Sequence, residues 1–362
     1  MSQKRIRIKD IARMAGVSSG TVDRVIHNRG KVSPKALEKI EGVLKEVNYR
    51  PNIHISSISL KKKYKVLFIS PNFKTGDYWE SIYQGIVRAL NEFETIEIRC
   101  EELSYDQYDI YHCRKVYHDA LKQKMDAVII GSIFQNETQT FCHQLDEKEI
   151  PYVFVDSNVE DTSPVACFSS DHFTCGYLMS KIMNAIMHDN RDIGILQAMR
   201  VGNESANSTI LRKNGFNAYL NERGLERKIH RIPFTATELE KNDDMFDAFF
   251  SKNNGIGGIV VLNSRGHIIA DYLSSRNIKD IKLIGIDLTT PNISALKEGN
   301  IDSLIGQNPK SQGFLAMRSL IEHLIFKLPI KVENIMPLDI VTKETIDFYS
   351  EFKDLVYLNQ YV

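Results

Sequence analysis

The chain has 362 residues, 43% of them hydrophobic and 25% charged, and its 46 Lys and Arg balance 46 Asp and Glu. That length predicts two or three packed units, and the composition excludes a disordered or fibrous chain. No run approaches the roughly 18 consecutive apolar residues of a membrane-spanning helix, and the charged start has no apolar run after it, so no secretory signal is expected. Five scattered cysteines (Cys100, Cys113, Cys142, Cys167, Cys175) form no Cys-x-x-Cys pair. Reduced thiols in the cytoplasm are therefore expected, with no disulfide framework and no metal site.

The zero net charge conceals an asymmetry. Residues 1–65 carry 16 Lys and Arg against 5 Asp and Glu, so the remainder carries the opposite excess. A basic head on an acidic body fits a nucleic-acid-binding module joined to a domain that does not bind nucleic acid. Within the head, Ile8, Ile11, Ala12 and Ala15 share one face of a short helix, and Gly16 can end it. Ser18 is a good N-cap for a second helix that buries Val22, Val25 and Ile26 and leaves Ser19, Gly20, Thr21, Asp23 and Arg24 outward. This is the helix-turn-helix pattern, whose second helix enters the DNA major groove. Ser33 and Pro34 open a third helix with a predicted buried stripe of Leu37, Ile40, Val43, Leu44 and Val47, stopped near Tyr49-Arg50-Pro51.

Residues 7–52, from Arg-Ile-Lys-Asp-Ile-Ala through Gly16-Val17-Ser18 to Asn-Tyr49-Arg-Pro51-Asn52, resemble the headpiece of the LacI/GalR family. The resemblance implies that Ser19 and Gly20 face base edges and that Arg24 contacts DNA, with a guanine edge as its partner of choice. Ser18, Thr21, His27 and Ser33 match phosphate-contacting positions, which set register. Two departures stand out: Gly20 removes a side chain from the reading face, and Asp23 brings a carboxylate to it, where it accepts from a cytosine amino group or, as we favour, pairs with an arginine. In the segment after Asn52, Ile58 matches the family's apolar wedge that enters the minor groove and kinks DNA. The β-branched residues and serines there make a poor isolated helix, as suits a segment that orders on DNA.

From Tyr64 onward, short apolar runs alternate with helical stretches. Strands are expected around 66–69, 126–130, 152–155, 192–196, 258–262, 282–286 and 302–305, and helices around 80–93, 172–187, 208–223, 236–251 and 310–327. Repeated β-α units predict parallel, doubly wound sheets, and the length suits two lobes. Such sheets bind ligands beyond the carboxyl ends of their strands, where Asp156, Asn263, Asp287 and Gln307 fall. Carboxylates and amides suit the hydroxyls of a neutral polyol, and Tyr78 and Trp79 could offer flat faces to a sugar ring. Strand-end acids also serve as caps, and the two aromatics could equally be core. The body resembles the periplasmic-binding-protein-like domain of the same family, in its ribose/galactose branch. That resemblance adds Arg212, ahead of Gly215-Phe216, to the ligand set. It departs at Ser157, where an arginine often stands, and at Ser264-Arg265, where an acid often follows the asparagine.

No phosphate loop, His-Glu-x-x-His or nucleophile-elbow motif is present. The expected architecture is a multidomain chain: an all-α three-helix helix-turn-helix headpiece (1–50), a hinge (51–63), a two-lobed α/β periplasmic-binding-protein-like effector domain (64–350) and a tail (351–362). The expected function is sequence-specific regulation of transcription, with repression the favoured sense, activation the alternative and a carbohydrate enzyme the distant rival. Its partners would be a pseudo-palindromic double-stranded DNA operator, a small sugar or polyol, and a second copy in a homodimer, a tetramer being left open. No cofactor is expected and no membrane.

Overall fold

The computed structural model describes residues 8–26, 32–46, 62–94, 96–202 and 206–349. In the head, α1 (Ile8–Ala15), α2 (Ser19–Ile26) and α3 (Pro34–Glu46) enclose a small core of Ile11, Ala12, Ala15, Val22 and Ile40. Val25, Val43 and Leu44 pack against it half-buried. The predicted third-helix stripe is narrower than expected. Leu37 is 38% exposed, because only the Ile40–Val43–Leu44 side of α3 meets the other two helices. Val47, His27 and Ile58, with the hinge up to residue 61 and the tail, lie outside the described residues.

The body contains two parallel sheets of six strands each. In chain order the strands are β1 (Tyr64–Pro71), β2 (Ile98–Tyr105), β3 (Ala127–Gly131), β4 (Tyr152–Asp156), β5 (Ala166–Ser170), β6 (Asp192–Ala198), β7 (Ile229–Phe234), β8 (Ile256–Val261), β9 (Lys282–Ile286), β10 (Ser303–Gly306), β11 (Glu333–Met336) and β12 (Asp339–Val341). The first sheet runs β2-β1-β3-β4-β5-β11 and the second β7-β6-β8-β9-β10-β12. All pairings are parallel except β10 with β12. The two lobes therefore repeat one winding order, with a switch point between β1 and β3 in the first and between β6 and β8 in the second.

Helices α4 (Tyr78–Glu92), α5 (Ile110–Ala120), α6 (Gln135–Glu147) and α12 (Pro309–Phe326) belong to the first lobe's core. Helices α7 (His172–Ile186), α8 (Asn207–Glu222), α9 (Asn242–Phe250), α10 (Gly266–Ser275) and α11 (Thr290–Lys297) cover the second sheet. The helix expected at 236–251 breaks into a 3-10 turn, Leu239–Lys241, and α9. The strands that the apolar-run reading missed are β2, β5, β7, β11 and β12. Four of these are edge strands and β5 lies beside one; they carry polar or small residues, as in β2 (Ile-Arg-Cys-Glu-Glu-Leu-Ser-Tyr), and a half-exposed strand needs no continuous apolar run.

In each lobe one helix pair touches backbone to backbone. A Cβ on Gly85 of α4 would lie 2.0 Å from the Lys310 carbonyl oxygen of α12, and one on Gly313 of α12 would lie 1.9 Å from that of Ile82. The second lobe repeats the device between α7 and α8: a Cβ on Gly176 would lie 1.8 Å from the Arg212 carbonyl oxygen, and one on Gly215 would lie 1.9 Å from that of Phe173. Gly176→Ala should therefore force these helices apart and destabilise the protein by about 1–3 kcal/mol, the range for overpacking. Gly42→Ala on the open face of α3, where nothing lies within 4 Å, should instead stabilise the head by about 0.5–1 kcal/mol. Urea unfolding followed separately for head and body checks both signs.

Candidate DNA-binding face and effector cleft

The turn between α1 and α2 closes as the sequence suggests. Val17 N–H donates to the Ala12 carbonyl at 2.9 Å, and Gly16 takes a left-handed φ of 65°. Ser18 Oγ accepts from Thr21 N–H at 3.1 Å, capping α2, and bonds the Thr21 hydroxyl at 2.8 Å. Ser18, Ser19, Gly20 and Arg24 are exposed on one end and side of α2, with Thr21 and Asp23 half-buried beside them. Ser33 is exposed immediately ahead of α3. The N-terminus of α2 thus exposes the small residues Ser18, Ser19 and Gly20, at the end of a helix that favours anions.

In the body, the residues named from strand ends meet where the two lobes face each other. Asp156 and Asp287 both turn the chain with left-handed φ, 69° and 72°, conformations that aspartate tolerates better than most residues. Both are buried. From the first lobe, the Tyr78 hydroxyl donates to Asp156 Oδ1 at 2.8 Å and Ser157 Oγ donates to Asp156 Oδ2 at 3.0 Å. His172, at the start of α7, contacts Ser157 Oγ through Nε2 at 3.0 Å and Arg212 Nη2 through Nδ1 at 3.0 Å. Arg212 also donates to the Leu262 carbonyl at 2.9 Å and to Gln307 Oε1 at 2.9 Å. Gln307 Nε2 then donates to Asp287 Oδ1 at 2.7 Å, while Ser264 Oγ donates to Asp287 Oδ2 at 2.6 Å. Gln312, in the first turn of α12, accepts from Asp156 N–H at 2.8 Å and donates to the Gln307 carbonyl at 2.9 Å. One buried chain of hydrogen bonds joins the two carboxylates across the cleft.

Of the seven expected effector residues, Tyr78, Asp156, Arg212, Asp287 and Gln307 sit in this chain. Tyr78 enters it through its hydroxyl rather than its face. Trp79 is buried in the first lobe's core, edge-on to Tyr78 with centroids 5.3 Å apart, and a Cβ on Gly131 would lie 2.3 Å from its ring. Asn263 stays outside the chain and accepts from Arg265 N–H at 3.0 Å, shaping its own loop. The sequence reading missed His172 and Gln312. Each stands in a first helical turn just past a strand, in Ser-Asp171-His172 and Pro309-Lys-Ser-Gln312, and that position was the available signal.

The mouth of the cleft has contacts of its own. Arg265 pairs with Asp77 at 3.4 Å, and Arg200 lies 5.2 Å over the Tyr108 ring and 5.9 Å over Phe134. Val201 N–H donates to the Tyr108 carbonyl at 2.8 Å. Burial pulls the Arg200 guanidinium below its ordinary pKa.

Burial also sets the protonation states inside. Desolvation, reinforced by Arg212, lowers the His172 pKa to about 4, so the imidazole is neutral at pH 7. Desolvation raises Asp287 to about 6, opposed by Arg212 and by its bonds to Ser264 and Gln307. The Tyr78 phenol is pushed well up, first by burial and then by Asp156. All five cysteines are free, and burial pushes the thiols of Cys167 and Cys175 up to about 11. Among the described residues no helix is long and apolar enough to cross a membrane.

Comparison with known proteins agrees with both halves. Residues 7–52 match the bacterial regulatory proteins of the lacI family, and residues 66–328 match the periplasmic binding protein domain. A solved structure of a candidate LacI transcriptional regulator from Bacteroides fragilis is 30% identical, with a TM-score of 0.76, covering 80% of this chain and all of that one. The chain belongs to the LacI family. It is a DNA-binding transcription regulator and not an enzyme. Among LacI-family relatives, the sucrose operon repressor of Lactococcus lactis subsp. lactis is 26% identical across 81% of this chain and 88% of its own length. The regulator DegA of Bacillus subtilis is 24% identical across 78% and 81%. In fold alone, the glucose-galactose binding protein GanP of Geobacillus stearothermophilus is alike, with 17% identity, a TM-score of 0.67, and 78% of this chain and 99% of that one covered.

The two shifted groups of the cleft act on stability in opposite senses. A histidine depressed from 6.5 to about 4 leaves the unfolded chain binding more protons in that window, so stability falls on acidification. An aspartate raised from 3.8 to about 6 does the reverse over nearly the same range. Between pH 6 and 4 their contributions offset. Asp287→Asn should expose the histidine's share as an extra loss of about 1–3 kcal/mol from pH 6.5 to 4 relative to wild type. Parallel unfolding-versus-pH curves for the two proteins would contradict the assignment.

Proposed function

We propose that this LacI-family regulator is a cytoplasmic homodimeric repressor that binds a pseudo-palindromic operator through α2 and is controlled by a small sugar or polyol held between the lobes. The observation that carries the effector half is the buried chain from Tyr78 and Asp156 to Gln307 and Asp287. It gathers, beyond the strand ends of both lobes, acceptors and donors matched to hydroxyl groups. Relatives named as the sucrose operon repressor of Lactococcus lactis subsp. lactis and the ribose operon repressor of its strain IL1403 support a sugar as the signal. Asp156, Arg212, Asp287 and Gln307 would take the hydroxyls, with the Tyr78 hydroxyl beside Asp156, Trp79 packed in the core behind it and Asn263 at the edge. In the headpiece, Arg24 reads a base edge, Ser19 and Gly20 face base edges, Ser18, Thr21, His27 and Ser33 hold phosphates, and Asp23 pairs with an arginine. Ile58 wedges the minor groove from the 51–63 hinge. A ligand can shift operator affinity only by its differential binding to the two lobe arrangements. The matching two-fold symmetry of operator and protein makes the dimer the natural form.

DNA selected from a random pool by the wild-type protein supplies the operator for the test. Arg24→Ala should weaken its binding by about 1–3 kcal/mol and relax specificity at one base pair. Asp287→Ala should keep operator binding but lose its response to whichever neutral sugar releases the wild type. An Arg24→Ala protein with unchanged affinity and specificity, or an Asp287→Ala protein with an intact response, would sink the corresponding half.

A further inference from the structure

Arginine holds a carboxylate or phosphate best through two parallel N–H bonds, and the guanidinium has two edges that can supply them: Nη1 with Nη2, or Nε with Nη2. Both edges need a free proton on Nη2. In the cleft, Arg212 Nη2 has its two protons on His172 Nδ1 at 3.0 Å and Gln307 Oε1 at 2.9 Å. Neither forked edge is open to a ligand. Gln307 is itself fixed by its bond to Asp287, and His172 by its bond to Ser157.

The protons of this chain can be assigned one by one. A guanidinium only donates, so His172 Nδ1 is an acceptor. Ser157 Oγ gives its own proton to Asp156 Oδ2, so His172 Nε2 carries the hydrogen and donates to Ser157 Oγ. The imidazole is thus the neutral Nε2–H tautomer, held between Arg212 from α8 and Ser157 from the first lobe. The charged groups acting on it are Arg212, Asp156 and Asp171, and they act together with its burial.

We propose that His172 is a positioning residue for effector choice: by taking the Nη2 proton of Arg212 that Gln307 leaves, it closes the remaining forked edge of the guanidinium and tunes the cleft against anionic sugars. This rests on the cleft being the effector site. A uronate or sugar phosphate entering there meets two buried carboxylates and an arginine that can offer only single, unpaired bonds. A neutral sugar needs only those single bonds.

The test is a matched panel: D-glucose, D-galactose and D-ribose against D-glucuronate, D-galacturonate and D-ribose 5-phosphate, titrated by calorimetry with Trp79 fluorescence in parallel. Wild type should bind at least one neutral sugar and bind its anionic counterpart at least about tenfold more weakly, the worth of one charge-assisted bond. His172→Leu frees an Nη2 proton and should shrink that ratio about tenfold or more. His172→Gln keeps an acceptor and should retain it, which a merely structural role would not distinguish. Nitrogen chemical shifts of the wild-type imidazole should report the Nε2–H tautomer at pH 7, a readout that needs no variant to fold. A wild type that binds an anion as tightly as its neutral partner, an unchanged ratio in folded His172→Leu, or an Nδ1–H or cationic imidazole at pH 7 would overturn the inference while leaving the effector cleft standing. Binding of neither class would overturn the cleft reading and this inference with it.

Discussion

Four glycines fix the geometry on which the cleft depends. Gly85 and Gly313 let α4 and α12 meet at backbone distance in one lobe, and Gly176 and Gly215 do the same for α7 and α8 in the other. Each of these helices carries a cleft residue near the crossing: Tyr78 on α4, Gln312 on α12, His172 on α7 and Arg212 on α8. Interiors are close-packed and yield little, so a helix set one side chain further out would carry its polar group out of hydrogen-bond range of its partner. The crossing comes first, and the hydrogen-bond chain follows from it.

That chain resolves an electrostatic difficulty. Two buried carboxylates and one guanidinium share a small region from which water is largely removed, where an unpaired polar group is expensive. Asp156 is met by Tyr78, Ser157 and Gln312, and Asp287 by Ser264 and Gln307. The imidazole stays neutral between them, so it can accept from Arg212 on one side and donate toward the carboxylate of the other lobe on the opposite side. An apolar residue at 172 would leave a guanidinium proton without an acceptor, and a lysine would add a second cation beside Arg212.

Much of this was legible in the sequence, and unevenly so. The central strands are buried on both faces and announce themselves as apolar runs, so β1, β3, β4, β6, β8, β9 and β10 were found. β2 and β7 are half-buried at sheet edges, and β7 carries Pro233, so they give no such signal. Asp156, Asp287 and Gln307 were visible because they end apolar strands, and Arg212 because of the Gly-Phe that follows it. His172 and Gln312 were not visible. A polar residue in a first helical turn is commonplace, and only the approach of the opposite lobe gives these two their partners. Leu37 misled for the complementary reason: its spacing fits the buried stripe, but α3 touches its neighbours over a narrower arc than periodicity alone implies.

Neither lobe is a continuous stretch of chain. The path leaves the first sheet after β5, returns from the second after β10 to build α12 and β11, and crosses once more to lay down β12. On the ribosome this imposes an order. The head's contacts all lie within some forty residues and can form as soon as that segment emerges, whereas the first sheet stays open at one side until residue 336 has been made. A nascent or prematurely terminated chain would thus carry a finished DNA-binding head on a body that cannot yet close. Its reach for DNA would precede its capacity to answer a ligand.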